Sequence, residues 1–438
     1  MSAALCDPSM PDGSSSKHLL RPKFLTVLAE GYGLGSFRRD AVAALTVAIV
    51  ALPLSMAIAV ASGVSPARGL YTAIIGGFVV SLLSGSRFQI GGPAGAFILL
   101  VAATVAKFGV EGLLLTVLIS GLMLTLIGAL RLGSLIRHIP HAVTVGFTSG
   151  IAVTIAASQL KDLGGLHLAE AEPGPLIPKL MALSQAISTV GPAALALGLG
   201  SSALIFVIRR YRPAWPGMLI AVVGASLVAI LLRVPVETIG SRFGGLPHGL
   251  LAPRLPAMSP HLMLAVLPAA LSFTLLGGIE SLLSAKVADG MTGRQHRSSM
   301  ELIAQGLANV ASALFGGISV TGTIARTATN IRAGGVSPLS GMIHAMFLLL
   351  FIYVAAPLAS YVPLSALAGL LLVVAWNMAE KAEFIRLLRH WRTAAVLVAT
   401  FGLTLARDLT TGIVAGCILA TVFALVKRGV PEEGDETA

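Results

Sequence analysis

Charge is the first shortage. Only 11% of the 438 residues are Asp, Glu, Lys or Arg, against roughly 25% in soluble globular domains. A chain so poor in charge lacks the material for a soluble surface. Cysteine is almost missing: Cys6 lies near the N-terminus and Cys417 in an apolar run. That leaves no disulfide framework and no metal-ligand spacing. Also missing are a Walker A loop, a nucleophile elbow and a dinucleotide fingerprint in a strand context. Nothing therefore points to ATP drive, hydrolysis or cofactor chemistry; no cofactor is expected, and the chain is not expected to be an enzyme. The histidines lack metal spacing too. His138, His141 and His296 fall at expected cytosolic ends, and His167, His248 and His261 in expected outside loops. The first roughly 35 residues lack the apolar core of a signal peptide, so residues 1–36 read as a cytosolic tail.

What the chain has is apolar length. Hydrophobic residues make up 55% and the mean hydropathy is +0.89. The expected class is an all-α polytopic membrane protein. Fourteen apolar segments can be marked. The first seven are 41–60, 69–83, 93–107, 112–130, 140–159, 192–208 and 216–232. The second seven are 262–286, 301–315, 322–333, 337–356, 363–376, 394–405 and 412–425. A full span needs about 20 residues, and segments three and ten fall short. Each follows a Gly-containing extended stretch, RFQIGG and GGISVT, the second read as a short strand over residues 318–321.

The formal charge of +11 could suggest nucleic acid. The basic residues, however, sit in short loops between apolar runs, where they act as topology determinants. With the N-terminus inside and all segments alternating, 21 of the 30 basic residues fall inside, 8 outside and Arg326 at the midplane. Both termini are then cytosolic, in what is expected to be a bacterial inner membrane. Gly92 and Gly322 are 230 residues apart, and Pro53 and Glu280 are 227 apart. This near-constant offset predicts two seven-segment halves. Seven is odd, so the halves are inverted, and a site is expected where the two broken helices meet. Residues 161–191 read as an outside loop carrying a surface helix.

Four places can carry chemistry. In IGGPAGAF (90–97), Pro93 suits a first helical turn, and Ala94 beside Gly92 and Gly95 leaves backbone N–H groups approachable by an anion; the other reading is a Gly/Ala packing face. In SVTGTIARTATN (319–330), Thr323, Ala325 and Arg326 lie in the first turn of a short helix. Arg326 at membrane depth is costly and should face protein or a wet cavity. It either adds field to an anion site or braces a broken-helix carbonyl or a buried acid. Glu280, with Ser284 one turn on, carries a proton or binds sodium, or else is paired with Arg326 or bonded to backbone. In ALPLSMAIA (51–59), Pro53 frees a carbonyl, and Leu54, Ser55 and Ile58 line a cavity or pack a kink.

At these residues the chain resembles the SulP family of anion transporters, the sulfate permease family (solute carrier family 26). The motifs are DAVAALTVAIVALPLSMAIAVASGVSPARGLYTAIIGG, SGSRFQIGGPAGAF, LLGGIESLLSAKVADG and ELIAQGLANVASALFGGISVTGTIARTATN. The resemblance covers about residues 37–427, the transmembrane part; most members carry a STAS domain after it.

The resemblance implies a transporter unit over 37–428 and a cytosolic tail over 429–438. Its core domain holds segments 1–4 and 8–11 (about 37–131 and 262–357), and its gate domain segments 5–7 and 12–14 (about 138–235 and 361–428). The resemblance further implies transport by elevator movement of core against gate. Implied substrate-binding residues are Ala51, Leu54, Ile58, Pro93, Ala94, Thr323, Ala325 and Arg326; Glu280 and Ser284 are implied in cation coupling, with a sodium site there as one form. Ala325 stands where many members have Ser, and Ala94 where a polar residue can follow Pro, so the pocket relies on backbone N–H groups. The expected substrate is a small anion such as sulfate, bicarbonate or a dicarboxylate, moved with a proton or sodium. Expected partners are membrane lipid and a second copy in a homodimer, with no nucleic acid. The alternatives are a nucleobase–cation symporter of the related fourteen-span fold and a non-transporting membrane scaffold or sensor.

Overall fold

The computed structural model describes residues 20–133, 140–169, 172–173, 176–213, 215–247, 249–407 and 409–425. Cys6, His138, His248, Lys427, Arg428 and the tail over 429–438 lie outside the described residues, as do residues 1–19 of the N-terminal tail.

Almost everything described is helix. A short amphipathic piece, α1 (Lys23–Ala29), precedes the long apolar α2 (Leu34–Ala61), which runs on through Pro53. Helix α3 (Pro66–Leu83) starts on a proline, whose missing N–H is no loss in a first turn, and widens to a π-turn at Thr72–Gly76. Strand β1 (Gly91–Gly92) and a 3-10 turn (Gly95–Phe97) lead into α4 (Ile98–Ala129). Then come α5 (His141–Gly164), α6 (Leu176–Gln185), α7 (Pro192–Tyr211), α8 (Gly217–Leu231) and α9 (Ile239–Phe243).

The second half opens with α10 (Pro260–Thr292), capped where the Leu262 N–H donates to the Ser259 hydroxyl at 3.2 Å. It continues with α11 (Ser298–Leu314), β2 (Thr321–Gly322), α12 (Ile324–Arg332) and α13 (Leu339–Ala359). The remainder is α14 (Leu364–Met378), α15 (Lys381–Leu387), α16 (Trp391–Ala406) and α17 (Leu409–Leu425). Among the described residues eight helices are long and apolar enough to cross a membrane, and Gly217–Leu231, Trp391–Ala406 and Thr411–Phe423 are shorter apolar ones.

Two sets of helices pack mainly among themselves. Helix α4 lies along α10 and α11, α3 along α11 and α13, and α2 along α3, α12 and α13. The other set is built on α5, which holds α14 and α16, with α7, α8 and α17 outside them. Helix α2 touches the second set through α8 and α14. A continuous apolar core runs through both sets; Phe97 and Phe273 meet in it with ring centroids 5.4 Å apart.

One sequence expectation shifts and another does not. Segments 93–107 and 112–130, grouped here as α4, are two helical stretches that part between them at Gly109 (φ 68°, ψ −175°), the first beginning only after the 3-10 turn. The left-handed φ is one that glycine alone adopts without cost. The strand expected at 318–321 pairs only at Thr321–Gly322. The reason is that side chains have already taken the backbone before it. Ile318 N–H donates to the Thr72 hydroxyl at 2.7 Å, Ser312 donates to Ile318 O at 2.7 Å, and Asn309 holds both Val320 O and Val320 N–H.

Candidate functional site

The centre of the molecule is where the two strands cross. They are antiparallel, with Gly91 opposite Gly322 and Gly92 opposite Thr321. Each strand leads into a helix, so two helix starts lie next to the crossing. Ala94 and Thr323 stand at those starts with extended backbone (φ −118° and −103°). Thr323 N–H and its hydroxyl both donate to Ile90 O, at 3.1 and 3.2 Å. Thus the first residue of one helix is tied to the strand that feeds the other.

Arg326 fills the crossing. Its side chain is among the largest that are wholly buried. Nη2 donates to the Ser55 hydroxyl at 3.0 Å and to Pro93 O at 3.4 Å. Ser55 in turn donates to Ala51 O at 2.6 Å. Nε and Nη1 are buried with no hydrogen-bond partner among the described residues. Five guanidinium donors in a fixed fork are thus only partly used. A buried donor left unpaired costs about 1–3 kcal/mol, so the guanidinium is held there at a cost.

The structure bonds Arg326 to Pro93 directly and to Ala51 through Ser55, while Thr323, three residues before Arg326, is tied separately to Ile90. Leu54, Ile58 and Ala94 are buried in the same apolar core. Ala325 differs: it is exposed, next to Ile324, at the start of α12. Glu280 and Ser284 do not share one environment. Ser284 is fully buried and donates to Thr327 Oγ1 at 3.4 Å. Glu280 is half-buried and has no ion pair or hydrogen bond among the described residues. The pairing of Glu280 with Arg326 held open from the sequence is therefore not made. The brace on a broken-helix carbonyl is made, at Pro93 O.

Several further bonded residues were not singled out by sequence. Gln89 donates to Ser281 O at 3.0 Å, and Ser281 shares a 2.8 Å hydrogen bond with Thr321. Thr327 accepts from Ile90 N–H at 3.1 Å. Glu301, wholly buried, accepts from Ser84 at 2.5 Å, Gly85 N–H at 3.0 Å and Gln305 at 2.9 Å, and so fixes the turn before β1. Asp40 does the same after α12, accepting from Val336 N–H at 2.7 Å and Ser337 Oγ at 2.5 Å. An acid in an apolar run was the available signal for Glu301. Asp40 lies in the second turn of α2, directly after Arg38 and Arg39, where a charge near a helix end draws no notice.

Two cavities open between the helix sets. One of about 700 Å³ is lined by Ile279, Leu282 and Lys286 of α10, His141 and Thr144 of α5, and Arg294. The other, of about 850 Å³, lies toward the opposite end of α5, at Thr154, Ser158 and Lys161. The crossing is flanked by the same helix: a Cβ on Gly95 would lie 3.5 Å from Ile155.

A pair of broken helices meeting at a buried arginine inside an apolar bundle is a transporter geometry, and the comparisons agree. Residues 37–401 match the sulfate permease family. The chain belongs to that family. YvdB of Bacillus subtilis (strain 168), named for sulfate transport, is 42% identical over 396 residues, 90% of this chain and 74% of that protein. Bicarbonate transporter BicA of Picosynechococcus is 32% identical over 89% of this chain and 70% of its own length. The solved transmembrane domain of a cyanobacterial BicA superposes with a TM-score of 0.78, covering 87% of this chain and 98% of that one at 32% identity. Murine solute carrier 26 family member A9, solved in the inward-facing state, has a TM-score of 0.86 at 16% identity and shares the fold, over 96% of this chain and 74% of that one. As a sulfate permease family member the chain is an integral membrane protein of a transporter family, and its relatives are named as transporters rather than enzymes.

Proposed function

We propose that this sulfate permease family member moves a small oxyanion, of the sulfate or bicarbonate kind, through the crossing of β1 and β2. The observation that carries the reading is Arg326: a guanidinium wholly buried between two helix starts, with Nε and Nη1 unpartnered. Helix N-termini carry roughly half a positive charge and free N–H groups. The anion binds at the two starts, at Ala94, Thr323 and Ala325, with Leu54 and Ile58 as its apolar wall. Arg326 supplies field from behind and holds the Pro93 carbonyl away from the ligand. The small side chains at 94 and 325 favour a compact ligand read by backbone N–H groups. A nucleobase would need polar groups for its edges.

The fourteen segments form two inverted halves. The set containing α2–α4 and α10–α13 is the moving core, and the set containing α5, α7, α8, α14, α16 and α17 is the gate. The core slides against the gate and carries the crossing from one of the two cavities to the other. Glu280, half-buried and unpaired, takes a proton or sodium for each anion. Both termini are cytosolic, the membrane is a bacterial plasma membrane, and two copies pair.

The test is uptake of labelled sulfate and of labelled bicarbonate into proteoliposomes, with and without an imposed proton or sodium gradient. Accumulation of one of them, driven by one gradient, is the expected result. If neither accumulates, nor exchanges against internal anion, the reading is wrong.

A further inference from the structure

The larger cavity has a makeup that a compact inorganic anion does not require. On one wall, Leu99, Ala102, Ala103 and Ala106 of α4 line it at i, i+3, i+4 and i+7, one face of a helix. On the other wall, Thr154, Ser158 and Lys161 of α5 present a polar stripe that ends in a cation, and Arg407 follows from the end of α16. Most of the charge around it is already matched. Lys179 of α6, itself buried, pairs with Glu172 at 2.8 Å, and Arg242 pairs with Asp162 at 2.9 Å and with Glu237. Lys161 and Arg407 remain, with no ion pair to an acid among the described residues. The cavity is therefore apolar on one side, and on the other its described lining carries four cations against three acids, one positive charge in excess. Its volume of about 850 Å³ is in the range of small-molecule sites, about 300–1,000 Å³.

We propose that this cavity is a second ligand site, for a single-chain amphiphilic anion such as an alkyl carboxylate or sulfonate. The alkyl chain lies along the α4 stripe and the head group meets Lys161 and Arg407. Charge complementarity selects an anion, and the apolar wall selects a chain. The ligand would sit between α4 and α5, one from each helix set. If those sets slide as proposed above, it acts as a wedge and slows transport without competing for the central site.

The binding half does not depend on transport, and the experiment keeps the two apart. The full chain in nanodiscs of neutral phosphatidylcholine is titrated with tritiated decanoate, with empty discs subtracted. Saturable binding is expected, unaffected by saturating sulfate or bicarbonate. From octanoate to dodecanoate, affinity should rise about threefold to fourfold for each methylene buried. The double variant Lys161→Gln/Arg407→Gln should bind about tenfold more weakly. Ala103→Trp, which fills the cavity while leaving both cations, should not bind, and Lys286→Gln at the other cavity should bind as the parent does. Binding no greater than to empty discs overturns the proposal, as does binding displaced by inorganic anion and indifferent to Lys161 and Arg407. Loss of decanoate binding when phosphatidylglycerol replaces part of the lipid would make this a phospholipid site and also overturn it. Failure of anion uptake in proteoliposomes would count against the central site and leave this result untouched.

Discussion

The guanidinium of Arg326 lies directly on Gly92: a Cβ at residue 92 would fall 1.8 Å from Nη1 and 2.9 Å from Cζ. The glycine of β1 is a space held open for the arginine of α12. The two halves of the chain are locked together at that contact, since Gly92 opposes Thr321 in the strand pair.

Gly92→Ala should therefore displace the arginine or open the strand pair. Uptake is expected to fall at least about tenfold, the equivalent of about 1.4 kcal/mol, with a lowered melting temperature in detergent. Uptake and a thermal melt on the same preparation check it. Gly33→Ala, where nothing lies within 4 Å of the added methyl, is the control and should change neither.

Ser55→Ala removes the shortest hydrogen bond from the Arg326 side chain, 3.0 Å at Nη2. Leaving that buried donor with only the longer contact to Pro93 O should cost about 1–3 kcal/mol. The loss should show as weaker anion binding, a half-saturation concentration raised about fivefold to a hundredfold. Steady-state uptake against anion concentration measures it.

Glu280→Gln keeps the side-chain volume and removes the proton-linked charge. Exchange of internal for external anion should persist, while accumulation driven by a proton or sodium gradient disappears. Both are read in the same vesicles by changing only the internal solution. Gradient-driven accumulation equal to the parent's would remove Glu280 from the coupling step.

Glu301→Ala leaves the Ser84 hydroxyl, the Gly85 N–H and the Gln305 amide without their shared acceptor in a buried turn. A loss of roughly 2–5 kcal/mol of stability is expected. Thermal unfolding in detergent should show the drop, with Glu301→Gln retaining part of it.

At the start of the chain, the hydrogen bond from Arg87 holds the Glu30 carboxyl below its ordinary range. A lowered carboxylate stabilises the fold above the unfolded value, and this contribution is lost as pH falls through the folded one. Glu30 is half exposed, so the effect is small and screened by salt. Melting temperatures taken from neutral pH down through the carboxylate range should fall less steeply in Glu30→Gln.

The parts of this fold that were legible in the sequence are those a membrane makes expensive. Arg326 in a short apolar run, Gly-rich breaks before segments three and ten, and the 230-residue spacing of Gly92 and Gly322 together point to one crossing. In the structure those glycines lie in the paired strands. The clamps were not legible, because their partners are remote. Ser84 and Glu301 are 217 residues apart, and Asp40 and Ser337 are 297 apart. The strand at 318–321 was placed too early for the same reason: Thr72, Asn309 and Ser312 occupy its backbone from two other helices. Gly92 looked like a point of backbone approach for an anion, whereas its immediate neighbour is an arginine from the other half.

The central claim is that an anion sits at the two helix starts, where Ala325, like Ile324 before it, is exposed. The most direct measurement places a cysteine at that position, Ala325→Cys, in a background with Cys6→Ser and Cys417→Ala, and follows its rate of modification by a charged thiol reagent. The account predicts that saturating transported anion slows modification at least about tenfold, while an equal concentration of a non-transported anion does not. A rate unchanged by any anion that the protein is shown to transport would contradict it.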